Sequence, residues 1–98
     1  MKFAIIGATG NVGRKTIDIL EKSKLDIEQL HLVASKNSSG KKIKFKGKNL
    51  TIAALENYDF KKADITFFAA GSSIAEKFAK NASKKTIVID NSKYFRMD

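Results

Sequence analysis

Seven residues near the amino terminus, Gly7-Ala8-Thr9-Gly10-Asn11-Val12-Gly13, have the types and spacing to hold a phosphate group. They follow a short apolar run and open a helical pattern, the setting in which a glycine-rich turn binds a dinucleotide. Gly7 permits a sharp exit from a strand, Gly10 lets the backbone approach a pyrophosphate with no Cβ in the way, and Gly13 lets the helix pack closely on the sheet. The phosphates would rest on free N–H groups at the helix N-terminus, where the dipole favours negative charge. The spacing is Gly-x-x-Gly-x-x-Gly rather than the commoner Gly-x-Gly-x-x-Gly, and a tight strand-to-helix turn with no ligand is the competing reading.

A second group of candidates ends the next apolar run. NAD-selective folds place an acid about twenty residues past the glycine turn, where it binds the ribose 2′-hydroxyl. Here the run ends Ala34-Ser35-Lys36-Asn37-Ser38-Ser39, without an acid. Hydroxyl and amide donors beside Lys36, with Lys41 and Lys42 close in sequence, suit a 2′-phosphate, so NADP is expected in preference to NAD. An ordinary polar loop is the alternative.

Other chemistry is largely excluded. The chain has no cysteine, hence no disulfide, thiolate metal site or thiol nucleophile, and no metal site is expected. His31, at a strand start, reads as a packing or surface residue. Tyr58-x-x-x-Lys62 imitates the catalytic pair of short-chain dehydrogenases, but it leads into a strand instead of lying on a long helix, and it reads as chance.

The elements that must position these residues alternate. Lys2 to Ile6 reads as a buried strand, followed by a helix from Asn11 to about Lys22 with Val12, Thr16, Ile19 and Leu20 at helical spacing and Ile17 widening the stripe. Asp18 and Lys22 form an i,i+4 pair on its outer side. Leu30 to Ala34 is a second strand. Lys42, Lys44 and Lys46 alternate with Ile43 and Phe45 as in a half-exposed strand, with Gly47 turning the chain and Leu50 to Ala53 returning as a hairpin partner. Ile65 to Ala70 is a strand covered on both faces; Ser73-x-x-Glu76 caps a helix carrying Ile74, Phe78 and Ala82; Thr86 to Ile89 is a last strand, and Asp90 to Asp98 a loop. The pattern predicts an α/β, Rossmann-like, doubly wound and mainly parallel sheet: one truncated domain over residues 1–98 with an inserted β-hairpin. Ligands would bind at the carboxyl ends of the strands, at Gly7, Ser35, Gly71 and Asn91.

Composition is that of a small globular domain: 98 residues, 43% hydrophobic and 30% charged. No apolar run is long enough to span a bilayer or serve as a signal peptide, so a cytoplasmic protein without membrane contact is expected. The net charge of +9 could attract phosphate. Only Arg14 and Arg96 among the 19 cations are arginine, however, and base readers rely on arginine forks, so nucleic acid is not the expected partner.

Together, Gly7 to Gly13, Leu32 to Ser35 with a following Ser-Gly-Lys stretch, Ala70-Gly71-Ser72, and Val88 to Ser92 with Tyr94-Phe-Arg-Met-Asp98 resemble the start of bacterial aspartate-semialdehyde dehydrogenases. The resemblance covers essentially the whole chain. It implies that Thr9, Gly10, Asn11 and Val12 hold the pyrophosphate of NADP, that Asn37-Ser38 stands where the family has an Arg-Ser pair on the 2′-phosphate, and that Gly71 and Ser72 wall the cofactor. It further implies that Asn91 approaches the nicotinamide and that Arg96 binds the phosphate of the substrate, aspartyl phosphate. The family reduces that acyl phosphate to aspartate semialdehyde with NADPH, through a cysteine thioester and a histidine acid/base that come later in the sequence. This chain is then expected to be an amino-terminal piece of an enzyme of lysine, methionine and threonine synthesis, inactive alone, the complete enzyme being a homo-oligomer. An N-acetyl-glutamyl-phosphate reductase-like domain, whose first turn usually has an aromatic residue where Asn11 stands, and a stand-alone dinucleotide-binding module or redox sensor are the alternatives.

Overall fold

The computed structural model describes residues 1–24, 27–69 and 84–90. Five parallel strands form one sheet: β1 (Lys2–Ile6), β2 (Gln29–Ala34), β5 (Ala53–Ala54), β6 (Ile65–Phe68) and β7 (Ile87–Asp90). Their order is β5-β2-β1-β6-β7. The chain therefore winds outward from β1 through β2 to β5, then returns to the other side of β1 for β6 and β7. The crevice at that reversal, outside the carboxyl ends of β1 and β6, is where such sheets bind ligands.

β1 lies between two partners and is buried on both faces, which is why its sequence is an unbroken apolar run. On one face Ile5, Leu32 and Ala34 pack against Ile17 and Leu20 of α1 (Asn11–Lys22), with Phe45 and Ile52 closing the cluster. On the other, Ile6, Val33 and Phe68 pack against Leu55 and Phe60, the rings of Phe60 and Phe68 stacked 6.1 Å apart. Thr66, fully buried on β6, donates its hydroxyl to Thr86 Oγ1 at 3.2 Å, so this buried polar group keeps a partner.

The helix has the expected bounds and the expected Lys22–Asp18 ion pair at 3.2 Å. Its buried face differs from expectation. Gly13, Thr16, Ile17 and Leu20 are buried, Val12 is partly covered, and Ile19 is 55% exposed. Ile17 and Ile19 lie more than half a turn apart on a helix, so both cannot face the sheet. The close contact at Gly13 selects Ile17.

The hairpin forms from β3 (Lys42–Phe45) and β4 (Lys48–Thr51), paired Phe45 to Lys48 across a two-residue turn. The return strand thus starts earlier than the expected Leu50 to Ala53. A two-residue turn brings Lys48 directly opposite Phe45; Ile52 then enters the core, and Ala53–Ala54 leaves to become β5 alongside Val33 and Ala34. Phe45 points inward and is buried while Lys42 and Lys44 are exposed, as the alternation predicts. Glu21 of α1 accepts the Lys46 N–H at 2.7 Å and ties the hairpin tip to the helix.

At that tip Lys46 has φ +48° and Gly47 φ +82°, the pair of positive angles of a type I′ turn. Lysine is a poor choice for the first position and asparagine a good one. Lys46→Asn, which leaves the backbone bond to Glu21 intact, should raise the unfolding free energy by about 1 kcal/mol, read from urea melts of the two proteins.

Candidate functional site

β1 ends in a sharp turn because Gly7 takes φ +86°, a conformation that side chains resist. The N–H groups of Gly7 and Ala8 both donate to the Val33 carbonyl, at 2.8 and 3.1 Å, and on the other side the Ala69 N–H donates to Ile6 O at 2.8 Å. These bonds pin the glycine turn between the carboxyl ends of β2 and β6, at the reversal of strand order. Gly10 N–H donates back to Gly7 O at 3.1 Å, and the Arg14 N–H to Gly10 O at 2.9 Å begins the helix.

Gly10 is the helix cap and has no side chain to satisfy the helix end. Helix geometry leaves the N–H groups of Asn11, Val12 and Gly13 without intrahelical acceptors. No acidic residue lies in the first turn to compete with an incoming anion. Those three donors and the dipole behind them form the cradle.

The last two glycines of the motif have different reasons to be glycine. A Cβ on Gly13 would fall 2.1 Å from the Gly7 carbonyl oxygen and 2.8 Å from Ala8 Cα, so nothing larger fits. Among the described residues a Cβ on Gly10 would meet only Gly7 O, at an ordinary 3.6 Å, and Gly10 has φ −77°, which any residue adopts. The packing of the described residues therefore leaves room for a Cβ at position 10 but not at position 13.

The second predicted group stands on the same sheet edge. The register pairs Ile6 with Val33, so the turn after β2 emerges beside the glycine turn. Ser35 opens a single 3-10 turn over Lys36–Ser38, held by Ser38 N–H to Ser35 O at 2.9 Å and by Ser39 Oγ to Lys36 O at 2.8 Å. Gly40 N–H on Ile52 O and Ile52 N–H on Lys41 O, at 2.9 and 2.8 Å, fasten this loop to the chain entering β5. Ser35, Lys36 and Asn37 are exposed and Ser38 half-buried. Among the described residues the side chains of Ser35, Asn37 and Ser38 have no hydrogen-bond partner, leaving their donors for a ligand. Gly71, Ser72, Asn91 and Arg96, and the helix expected after Ser73, lie outside the described residues.

Arg14 was not singled out by motif spacing, yet it belongs to this site: its Nε–H donates to the Thr9 carbonyl at 3.3 Å, across the turn. The only sequence signal was an arginine directly after the last glycine. His31 is half-buried, its Nε2 3.1 Å from Gln29 Oε1 and its ring 5.8 Å from that of Tyr58. It lies on β2 three residues before the carboxyl end, consistent with a packing residue. Burial lowers its pKa from 6.5, helped by Lys62 and Lys2. Tyr58 also fails as a short-chain-type catalytic residue. Its hydroxyl is buried with no partner among the described residues, and burial and the charge of Asp59 push its pKa up to about 12, opposite to the activation a catalytic tyrosine needs.

A parallel sheet with this reversal, and an uncapped helix N-terminus over a glycine turn, define a dinucleotide-binding domain of the Rossmann type. The chain belongs to the semialdehyde dehydrogenase family: the model of the family's NAD binding domain matches residues 2–98. It is 47% identical over 95 residues to an aspartate-semialdehyde dehydrogenase of Rickettsia bellii, covering 96% of this chain and 28% of that protein. The fold superposes with a TM-score of 0.89 and 36% identity on aspartate-semialdehyde dehydrogenase II of Vibrio cholerae, solved with ASA, over 99% of this chain and 32% of that one. It also matches the Candida albicans enzyme solved with NADP, with a TM-score of 0.77, 25% identity, and coverage of 97% of this chain and 30% of that one. The chain thus spans less than a third of the length of these relatives.

The two glycines should separate in stability. Gly13→Ala should lose about 1–3 kcal/mol, because backbone must move to admit the Cβ, while Gly10→Ala should unfold at nearly the wild-type urea concentration. His31 gives a pH signature. Its pKa is lowered on folding, so the unfolded chain takes up a proton first as pH falls below 6.5, and stability is lost through the window just under that value. His31→Gln should lose less stability than wild type between pH 7.5 and 5.5, measured as urea midpoints.

Proposed function

We propose that this chain is the NADP-binding part of an aspartate-semialdehyde dehydrogenase, the enzyme that reduces aspartyl phosphate to aspartate semialdehyde. The observation that carries the proposal is the head of α1: a glycine cap with no side chain and room for a Cβ among the described residues, before three backbone donors with no intrahelical acceptor, in a chain of the semialdehyde dehydrogenase family. When bound, NADPH supplies the hydride. The chain's own residues bind and orient it: Thr9 to Val12 with Gly13 receive the pyrophosphate through backbone donors and the helix dipole. Ser35, Asn37 and Ser38 receive the 2′-phosphate, with the ammonium of Lys36 providing the charge that an arginine gives elsewhere in the family.

The preference for NADP rests on the absence of any acid from Ala34 to Ser39 and on the partnerless hydroxyl and amide side chains there. The similar Candida albicans enzyme, solved with NADP, points the same way. By the family resemblance we assign Gly71 and Ser72 to the cofactor and Arg96 to the phosphate of the acyl-phosphate substrate, a role that suits a guanidinium. The 98 residues contain no cysteine, so this chain alone forms no thioester and turns over no substrate. The complete enzyme acts in the cytoplasm as a homo-oligomer.

The test is a calorimetric titration of the 98-residue chain with NADP⁺ and with NAD⁺. NADP⁺ should bind more tightly, and Gly10→Ala should weaken both by tenfold or more while remaining folded. Equal affinity of Gly10→Ala and wild type for both nucleotides would contradict the phosphate cradle.

A further inference from the structure

The first turn of α1 holds an electrostatic mismatch. Arg14 is the fourth residue of the helix, and the helix N-terminus already carries the positive end of the dipole. No acid in that turn offsets it, and the Lys22–Asp18 ion pair lies at the other end of the helix. A cation at this place opposes folding unless an anion joins it. Its guanidinium is nevertheless held in place: Nε–H donates to Thr9 O at 3.3 Å, which anchors the planar group on the rim of the glycine turn. One of its five N–H donors is thereby used, and the guanidinium has no other partner among the described residues. Every other cation from Lys2 to Lys85 is a lysine, so the single fork in the described structure stands on the phosphate cradle.

We infer that Arg14 is a phosphate-binding arm of this turn, its anchored guanidinium meeting the pyrophosphate that the backbone donors of Asn11 to Gly13 cradle. The inference rests on the dinucleotide reading above and adds a side-chain contact to what is otherwise a backbone site. Anchoring through Nε leaves the two terminal nitrogens for paired hydrogen bonds to phosphate oxygens. The bound pyrophosphate in turn neutralises the charge that opposes the dipole. Arg14 therefore trades stability of the empty domain for affinity.

That trade gives a signature that a merely structural arginine would lack. In Arg14→Gln, the nucleotide-free chain should melt at or above the wild-type temperature, because a cation is removed from the positive end of the helix. The same variant should bind NADP⁺ and NAD⁺ each about tenfold more weakly, the loss expected for a charge-assisted contact to a group both share. Arg14→Lys, which keeps the charge without the fork, should fall between. A lowered melting temperature in the nucleotide-free variant with unchanged affinity would overturn the inference and leave Arg14 a structural brace. A loss confined to NADP⁺ would overturn the pyrophosphate assignment in favour of the 2′-phosphate. If wild type binds neither nucleotide, the dinucleotide reading itself fails; if wild type binds and Arg14→Gln binds equally well, only the role of Arg14 fails.

Discussion

At Gly13 the first turn of α1 lies so close to the end of β1 that an added Cβ would sit 2.1 Å from the Gly7 carbonyl oxygen. That approach fixes where the helix begins and how it is rotated. It turns Ile17 and Leu20 onto Ile5 and Leu32 and leaves Ile19 in solvent. The hairpin depends on it as well, since Glu21 can reach the Lys46 N–H only if the helix has this rotation. The cradle and the core around α1 are thus set by one contact.

The turn is also held from both neighbouring strands, by Val33 O on one side and by the Ala69–Ile6 bond on the other. A pre-formed turn of this kind costs little ordering when an anion arrives, which favours binding even where side-chain donors are few. Around it the loop after β2 is fastened to the base of the hairpin through Gly40, Lys41 and Ile52. The hairpin base thereby braces the loop that carries Ser35, Asn37 and Ser38. Its outward lysines Lys42 and Lys44 add to the net charge without entering the hydrogen bonds of the site.

What could be read from the sequence follows from how local each signal is. β1, β2 and β6 were legible because strands covered on both faces must be apolar runs, and α1 because a glycine turn and a basic last turn bracket it. The two-residue β5 was not: Ala53-Ala54 has no pattern of its own and becomes a strand only because Val33 and Ala34 offer it an edge. Ile19 was misplaced because helical spacing admits two neighbouring stripes, and only the contact at Gly13 chooses between them. The packing role of Gly13 was legible from its place in the motif, and the coordinates add how close the approach is. Arg14 needed them too, since its bond to Thr9 exists only once the chain has turned.

The central claim is that backbone donors at the head of α1, together with the loop after β2, receive a dinucleotide. Amide chemical shifts of the ¹⁵N-labelled chain, recorded as NADP⁺ is added, test it most directly. The expected result is a dispersed spectrum in which the largest changes fall on Gly10 to Arg14 and Ser35 to Ser39, with the hairpin tip at Lys46 and Gly47 unmoved. A dispersed spectrum that ignores NADP⁺, or changes centred on the hairpin lysines, would contradict it.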